Sequence, residues 1–283
     1  MAAIAQLDAL ARSLPETTMR VRSLSFRTDL FFPAFDGSIV DRGEYLVVTT
    51  PTNPTYHWGN FVLFPGPPRA GDLARWTEAF RREIGEPEQV GHAAFGIDGV
   101  DGDGGEVQPF LDAGFELERG VVLTARAVRP PPRPNPDVTV RPLAGDADWE
   151  MAVQHGPTAL ESDEHDEGFV AFHRRQMARY RAMAEAGRGH WFGAFSGGAL
   201  VADLGLFHQD GVGRYQSVVT HPEHRGRGIA STMVHAAAEH VLRHDGVRKL
   251  VIVADEGSQA ARIYASVGFV PVETTLGLAR STP

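Results

Sequence analysis

From Val219 to Ala230 the chain reads Val-Thr-His-Pro-Glu-His-Arg-Gly-Arg-Gly-Ile-Ala, and no other run constrains the fold as much. The stretch Ser217-Val218-Val219 that leads into it reads as a strand. Ile229 to His244, which follows, has the makings of a long helix. Strand, glycine loop and helix in immediate succession leave the first N–H groups of the helix unpaired, with its positive end at the loop. That geometry suits a phosphate. Gly226 and Gly228 let the main chain approach an anion closely because no Cβ intervenes. Arg225 and Arg227 can add charge-assisted hydrogen bonds. The expected occupant is a pyrophosphate.

Neither common glycine signature fits this loop. Gly-x-x-x-x-Gly-Lys-Ser/Thr is absent, and Lys249 is the only lysine in the chain. Gly-x-Gly-x-x-Gly fails because Ser231 follows Gly226 and Gly228 at the third place. Arg225 to Ala230 does match Arg-x-x-Gly-x-Ala, and in this it resembles the GNAT N-acetyltransferase superfamily, where that loop binds the pyrophosphate of acetyl-CoA. Downstream, Val251-Ile252-Val253 reads as a buried strand bounded by Asp255-Glu256-Gly257. The segment Ala260-Ala261-Arg262-Ile263-Tyr264-Ala265-Ser266-Val267-Gly268-Phe269 is similar to the second GNAT signature, Ala-x-x-Leu-Tyr-x-x-x-Gly-Phe. The resemblance covers roughly residues 138–280. It departs at Gly257, since the family often has Asn seven residues before the tyrosine, in contact with the pantetheine arm.

The resemblance implies an α/β (α+β) fold with a mixed, mostly antiparallel central sheet flanked by helices. It also implies acetyl-CoA as co-substrate, bound by Val218, Val219, Thr220, Arg225, Gly226, Arg227, Gly228, Ile229, Ala230 and Ser231. Tyr264 would stand near the CoA sulfur and protonate the leaving thiolate, while the N–H groups of Val218 and Val219 are the candidates for holding the oxyanion.

The base is less plain. Many GNAT enzymes use a glutamate on the strand before the glycine loop, where this chain offers Tyr215, Gln216 and Ser217. The substitute is the acidic run Glu161 to Glu167, with Glu164 and His165 as candidates. Crowded carboxylates raise one another's pKa, and imidazole titrates near neutrality. Acids in a first helical turn also simply complement the helix dipole. If the run lines the site, its field favours a cationic acceptor. Asp203 and His208 are secondary candidates. His221 and His224 have the i, i+3 spacing of a metal pair but no evident third ligand, so no metal is expected.

The chain has 283 residues and no cysteine, so disulfides and a cysteine nucleophile are excluded. Acyl transfer by direct attack in a ternary complex is therefore expected. The net charge of −9 weighs against nucleic acid. No apolar run approaches the ~18 residues of a membrane span, and no signal peptide is evident, which makes a cytoplasmic location the expectation. The proline-dense stretch Arg129 to Pro136 reads as a semi-rigid spacer. It suggests a first domain over 1–128, a linker over 129–137 and a catalytic domain over 138–283.

The first half echoes the second. Phe110-Leu111-Asp112-Ala113-Gly114-Phe115 resembles the terminal signature, and the same offset of 154 (from 114 to 268) lays Phe61–Phe64 on Tyr215–Val218. A diverged GNAT-like unit is expected there, in tandem. Its loop has become Pro65-Gly66-Pro67-Pro68-Arg69-Ala70-Gly71, and prolines lack the N–H donors of a phosphate cradle. The function expected is N-acetyl transfer to a primary amine of a small molecule. A peptide amine as acceptor, or a non-catalytic acyl-CoA sensor, is the alternative. A homodimer is the oligomer expected.

Overall fold

A run with no polar alternation, such as Phe61-Val62-Leu63-Phe64, needs cover on both faces of a sheet, and this requirement organises the first half. The structure is a computed structural model that describes residues 19–159 and 167–281. Two compact units result. One takes the chain up to Gly120 and again from Glu273; the other spans Val121–Val272.

In chain order the elements begin with α1 (Leu24–Asp29), α2 (Phe31–Asp36), β1 (Ser38–Asp41), β2 (Leu46–Thr49) and β3 (Phe61–Phe64). Then come α3 (Asp72–Glu83), α4 (Pro87–Val90), β4 (His92–Ile97), α5 (Gln108–Asp112) and β5 (Glu116–Ala125). The second unit adds β6 (Thr139–Pro142), α6 (Gly145–Ala159), α7 (Glu167–Glu185), β7 (Gly189–Ser196), β8 (Ala199–Gln209) and β9 (Val212–Thr220). It continues with α8 (Ile229–His244), β10 (Lys249–Asp255) and α9 (Gln259–Ser266), and the chain closes on β11 (Val270–Ser281).

In the first unit the strand order is β1-β2-β3-β4-β11. The joins are antiparallel except β3 with β4, which run parallel. Strand alternation sorts the apolar residues onto two faces. Leu46, Val48, Phe61, Leu63 and Ala94 meet Phe26 and Leu30 on one side. Val47, Val62, Phe64, Phe95 and Ile97 meet Trp76, Phe80 and Phe110 on the other.

The second unit orders its strands β5-β10-β9-β8-β7-β6; β9 and β10 run parallel, and the joins from β9 through β8 and β7 to β6 are antiparallel. Gly197 and Gly198, at φ 58° and 89°, make the β7–β8 hairpin turn, in the left-handed region such turns require. On α8, Ile229, Met233, Val234, Ala237, Ala238 and Val241 are buried at helical spacing against Phe192, Ala202, Leu204 and Leu206. Phe207 and Trp191 instead stack with Tyr180 of α7. The odd positions of β8 beyond Ala202, among them Asp203 and Phe207, thus turn to the α6–α7 side.

The 154-residue offset holds in the architecture. It lays β3 within β9, the start of α3 at the glycine loop, β4 beside β10 and α5 on α9. Gly114 and Gly268 both have positive φ, 83° and 111°. The strand after each Gly-Phe then changes units: β5 enters the second unit at Val121, and β11 enters the first at Glu273. Each unit is GNAT-like, with a mixed, mostly antiparallel sheet flanked by helices. The proline-dense stretch is tied down within the second unit. Arg129 donates to the carbonyls of Val267, Ser266 and Ala265, and Asn135 donates to Thr232 Oγ1 and Arg227 O. Among the described residues no helix is long and apolar enough to cross a membrane.

Candidate active site

The loop between β9 and α8 begins with a 3-10 turn over Pro222–His224. Arg225 is then extended and its Nε donates to Thr220 O, which pins the loop to the end of β9. Gly226 and Gly228 follow at φ 74° and 79°, and Gly228 caps α8. A Cβ on Gly228 would stand 2.3 Å from Arg133 O, so glycine is required there for close approach as well as for φ. The Arg225 amide donates to Pro222 O. From Gly226 to Ser231 the amides donate to no other protein atom among the described residues. These free donors sit at the positive end of a 16-residue helix, the arrangement that binds anions. The Arg227 side chain is exposed beside them.

The neighbouring strands open toward this loop. The β9–β10 ladder pairs Val212–Arg214 with Lys249–Val251 and stops there, although β9 runs on to Thr220 and β10 to Asp255. On its other edge β9 carries a bulge. Asp203 pairs with Val219 and Gly205 with Gln216, so Ser217 and Val218 oppose Leu204 alone. Ser217 takes φ 48° within it. A bulge re-aims the local main chain, here at Val218 and Val219, both half-buried.

Tyr264 lies on α9 in the same apolar cluster as Ile229, Ala254 and Val218. It is 5% exposed. Burial, with a smaller contribution from Asp255, pushes its hydroxyl up to about 12, so it holds its proton at neutral pH. No described residue hydrogen-bonds that hydroxyl, whereas the Tyr215 hydroxyl donates to Val234 O. Gly257 sits at φ 72° with open space around it. Glycine and asparagine are the residues that tolerate this region best, which accounts for glycine where the family often has asparagine.

A histidine and a carboxylate are buried together on the α6 side. His155 Nδ1 donates to Asp203 Oδ2 at 3.1 Å, the side chains being 3% and 5% exposed. This bond fixes the tautomer and leaves Nε2 with a lone pair. Among the described residues His155 Nε2 is buried without a partner, as is Nδ1 of His221, whose ring centroid is 6.2 Å away. His221 immediately follows β9, and its amide donates to Val201 O. His173, packed against Gly156, completes the cluster; burial holds it below the ordinary histidine range. Buried polar atoms are nearly always satisfied, so two ring nitrogens without a described partner, on neighbouring rings, mark a place for a polar group.

The expected binding residues Val218, Val219, Thr220 and Arg225 to Ser231 lie at the end of β9, in the glycine loop and in the first turn of α8, and Tyr264 lies in the apolar cluster with Ile229. Glu164 and His165 lie outside the described residues. His208 is placed elsewhere, near Asp245. His155 was missed by sequence reasoning, and Asp203 was ranked low. The available signal was an acid inside the apolar strand Leu200–Phe207, a burial that demands a partner. In the first unit the matching loop offers no free run of donors. Pro65, Pro67 and Pro68 lack N–H groups, and the Arg69 amide donates to Asp72 Oδ2. The cavity against it, about 750 Å³, is lined by Glu44, Asp72 and Glu106 as well as by Arg69 and Arg75, and Arg75 is already paired with Asp72.

Residues 158–269 match the family model of the Acetyltransferase (GNAT) family. A functionally unknown conserved protein from Staphylococcus epidermidis ATCC 12228 has a similar structure, with TM-score 0.66 at 13% identity over 88% of this chain and 95% of that one. A GCN5-related N-acetyltransferase from Kribbella flavida gives 0.61 at 16% identity over 92% and 97%. A tandem GNAT protein from the clavulanic acid biosynthesis pathway gives 0.54 at 17% identity over 98% and 94%. At such identities these likenesses speak to fold. No curated protein matches the chain by sequence. The family match over residues 158–269, set within a tandem GNAT-like fold, makes the second unit an acetyltransferase domain of the GNAT family and the protein an acyltransferase.

Proposed function

We propose that the second unit transfers an acetyl group from acetyl-CoA to a primary amine by direct attack in a ternary complex. The observation that carries this reading is the run of free amides from Gly226 to Ser231, beside a strand pair that stops pairing. Acetyl-CoA supplies the thioester carbonyl. The free amides and Arg227 hold its pyrophosphate, and the gap between β9 and β10 admits the pantetheine arm. Main-chain N–H groups of Val218 and Val219, turned by the bulge, donate to the carbonyl oxygen as it becomes an oxyanion.

His155 Nε2 takes the proton from the attacking amine, and Asp203 stabilises the imidazolium that forms. His221 lies on the same side and offers a second nitrogen to the amine or to a bridging water. Tyr264, protonated at neutral pH, gives its proton to the departing sulfur. The chain has no cysteine to carry an acyl group covalently. Because Nε2 of His155 is buried, the acceptor must reach it on a slender arm, which favours an unbranched primary amine of a small molecule.

Thiol release from acetyl-CoA, measured against a panel of small primary amines and amine-bearing peptides, tests this reading. Amine-dependent release is expected, strongest with small amines. Tight CoA binding with no amine-dependent release would instead identify a sensor.

A further inference from the structure

A second group of titratable side chains lies at the far end of α8, away from the glycine loop. His240 is in the last turns of that helix, Asp245 caps it, and His190 stands at the start of β7. Their ligand atoms all lie within 4.8 Å of one another. His190 Nε2 is 3.0 Å from Asp245 Oδ2, and the rings of His190 and His240 are 4.8 Å apart at centroid, edge to face. Two more imidazoles border the group. His208 Nε2 is 3.9 Å from the same carboxylate oxygen, and the His244 ring is 5.1 Å from that of His240.

The acetyl-transfer chemistry uses none of these residues. His208 is five positions from Asp203 along β8, a separation of roughly 17 Å at the usual strand rise. A helix C-terminus favours one nearby cation, but that does not account for three imidazoles around one carboxylate and a fourth beside His240. The 3.0 Å spacing of His190 and Asp245 is close to the roughly 3.3 Å edge of a tetrahedron of ligands at zinc bond lengths. Phe192 packs beside both His190 and His240, giving the group an apolar wall of the kind that surrounds metal sites.

We infer that His190, His240 and Asp245 bind a zinc-class divalent transition metal, with His208 or His244 close enough to supply a fourth ligand. Imidazole with a single carboxylate selects zinc, cobalt or nickel over magnesium or calcium. The metal would fasten the C-terminal end of α8 to β7, while the other end of the same helix presents the amides of the glycine loop. Its role is structural.

The test uses the tag-free full chain, stripped of metal with a chelator. Calorimetry with zinc chloride should give one ion per chain and a higher melting temperature, and magnesium should give neither. Cobalt(II) should develop the visible absorption bands of a low-symmetry site. His240→Ala should weaken zinc binding at least ~100-fold, since second-shell losses alone cost about 10–100-fold. Asp245→Asn, which retains an acceptor for His190, should weaken it ~10-fold or more on the same grounds, and it serves as the probe if His240→Ala does not fold. No zinc binding by the wild-type chain, or equal binding by the variants, would overturn the inference.

Discussion

Replacing His155 by asparagine separates chemistry from packing. The asparagine amide, carried on Cγ as Nδ1 is, can still donate to Asp203 Oδ2, so the buried carboxylate keeps a partner. The exchange should therefore cost no more than about 1 kcal/mol of stability, the net worth of one hydrogen bond. What disappears is the lone pair on Nε2. If that atom is the general base, kcat falls by about 10²–10⁴, equivalent to roughly 3–5 kcal/mol in the barrier. CoA affinity should not change, because no contact to the glycine loop is lost. Asp203→Asn gives the complementary result: the base remains but its tautomer is no longer imposed, an exchange that costs about 10⁴ in a Ser-His-Asp triad. Alanine at 155 would be a poor probe, since stranding a buried carboxylate costs about 1–3 kcal/mol or more. Steady-state thiol release and calorimetric titration with CoA read the two quantities. Turnover of His155→Asn within about threefold of wild type, or a parallel loss of CoA affinity, would refute the assignment.

Other substitutions probe the remaining parts. Gly226→Ala should cost about 1–2 kcal/mol of left-handed strain, because nothing lies within 4 Å of the new Cβ. Gly228→Ala adds a 2.3 Å clash with Arg133 O and should lower the melting temperature further; equal shifts would contradict the packing described. Tyr264→Phe should cut kcat by about 10²–10⁴ and spare CoA affinity. The Tyr264 hydroxyl sits near 12 in the folded chain, above its ordinary ~10. Its contribution is thus present below pH ~10 and lost as pH rises toward ~12, up to about 2–3 kcal/mol. Urea denaturation across that window should show a shallower alkaline loss in the phenylalanine variant. Asp148 accepts from Arg141 and the Ala144 amide, and the Arg141 bond holds it below the usual carboxylate range. With Arg141 43% exposed, Asp148→Asn should cost only about 1 kcal/mol at pH 7. The wild-type advantage should persist above pH ~4 and vanish as pH falls through the depressed value; a pH-independent difference would contradict the ion pair.

Much of the second unit was legible because its signals are local. Gly228 in the left-handed region starts α8 at Ile229, and the helix ends at His244 as its composition indicates. The Gly197-Gly198 turn fixes its hairpin in the same way. What escaped depends on distance along the chain. His155 and Asp203 are 48 positions apart and meet because alternation on β8 turns Asp203 toward α6. Pro157 falls inside α6, a residue that reads as a breaker, so no local pattern points His155 toward the sheet. The exchange of β5 and β11 between units was equally hidden. Both strands follow a Gly-Phe turn, and nothing in their own pattern names a partner, which only the tertiary register decides. The departure at Gly257 looks like a lost ligand in the sequence and is, in the fold, a left-handed position.

The central claim concerns the main-chain amides of the glycine loop, and nuclear magnetic resonance addresses them one by one. With the ¹⁵N-labelled protein, adding CoA should move the amide protons of Gly226 to Ser231 downfield as they donate to the pyrophosphate, and dephosphorylated pantetheine should not reproduce those shifts. If CoA binds while these resonances stay in place, the diphosphate is held elsewhere and the account fails.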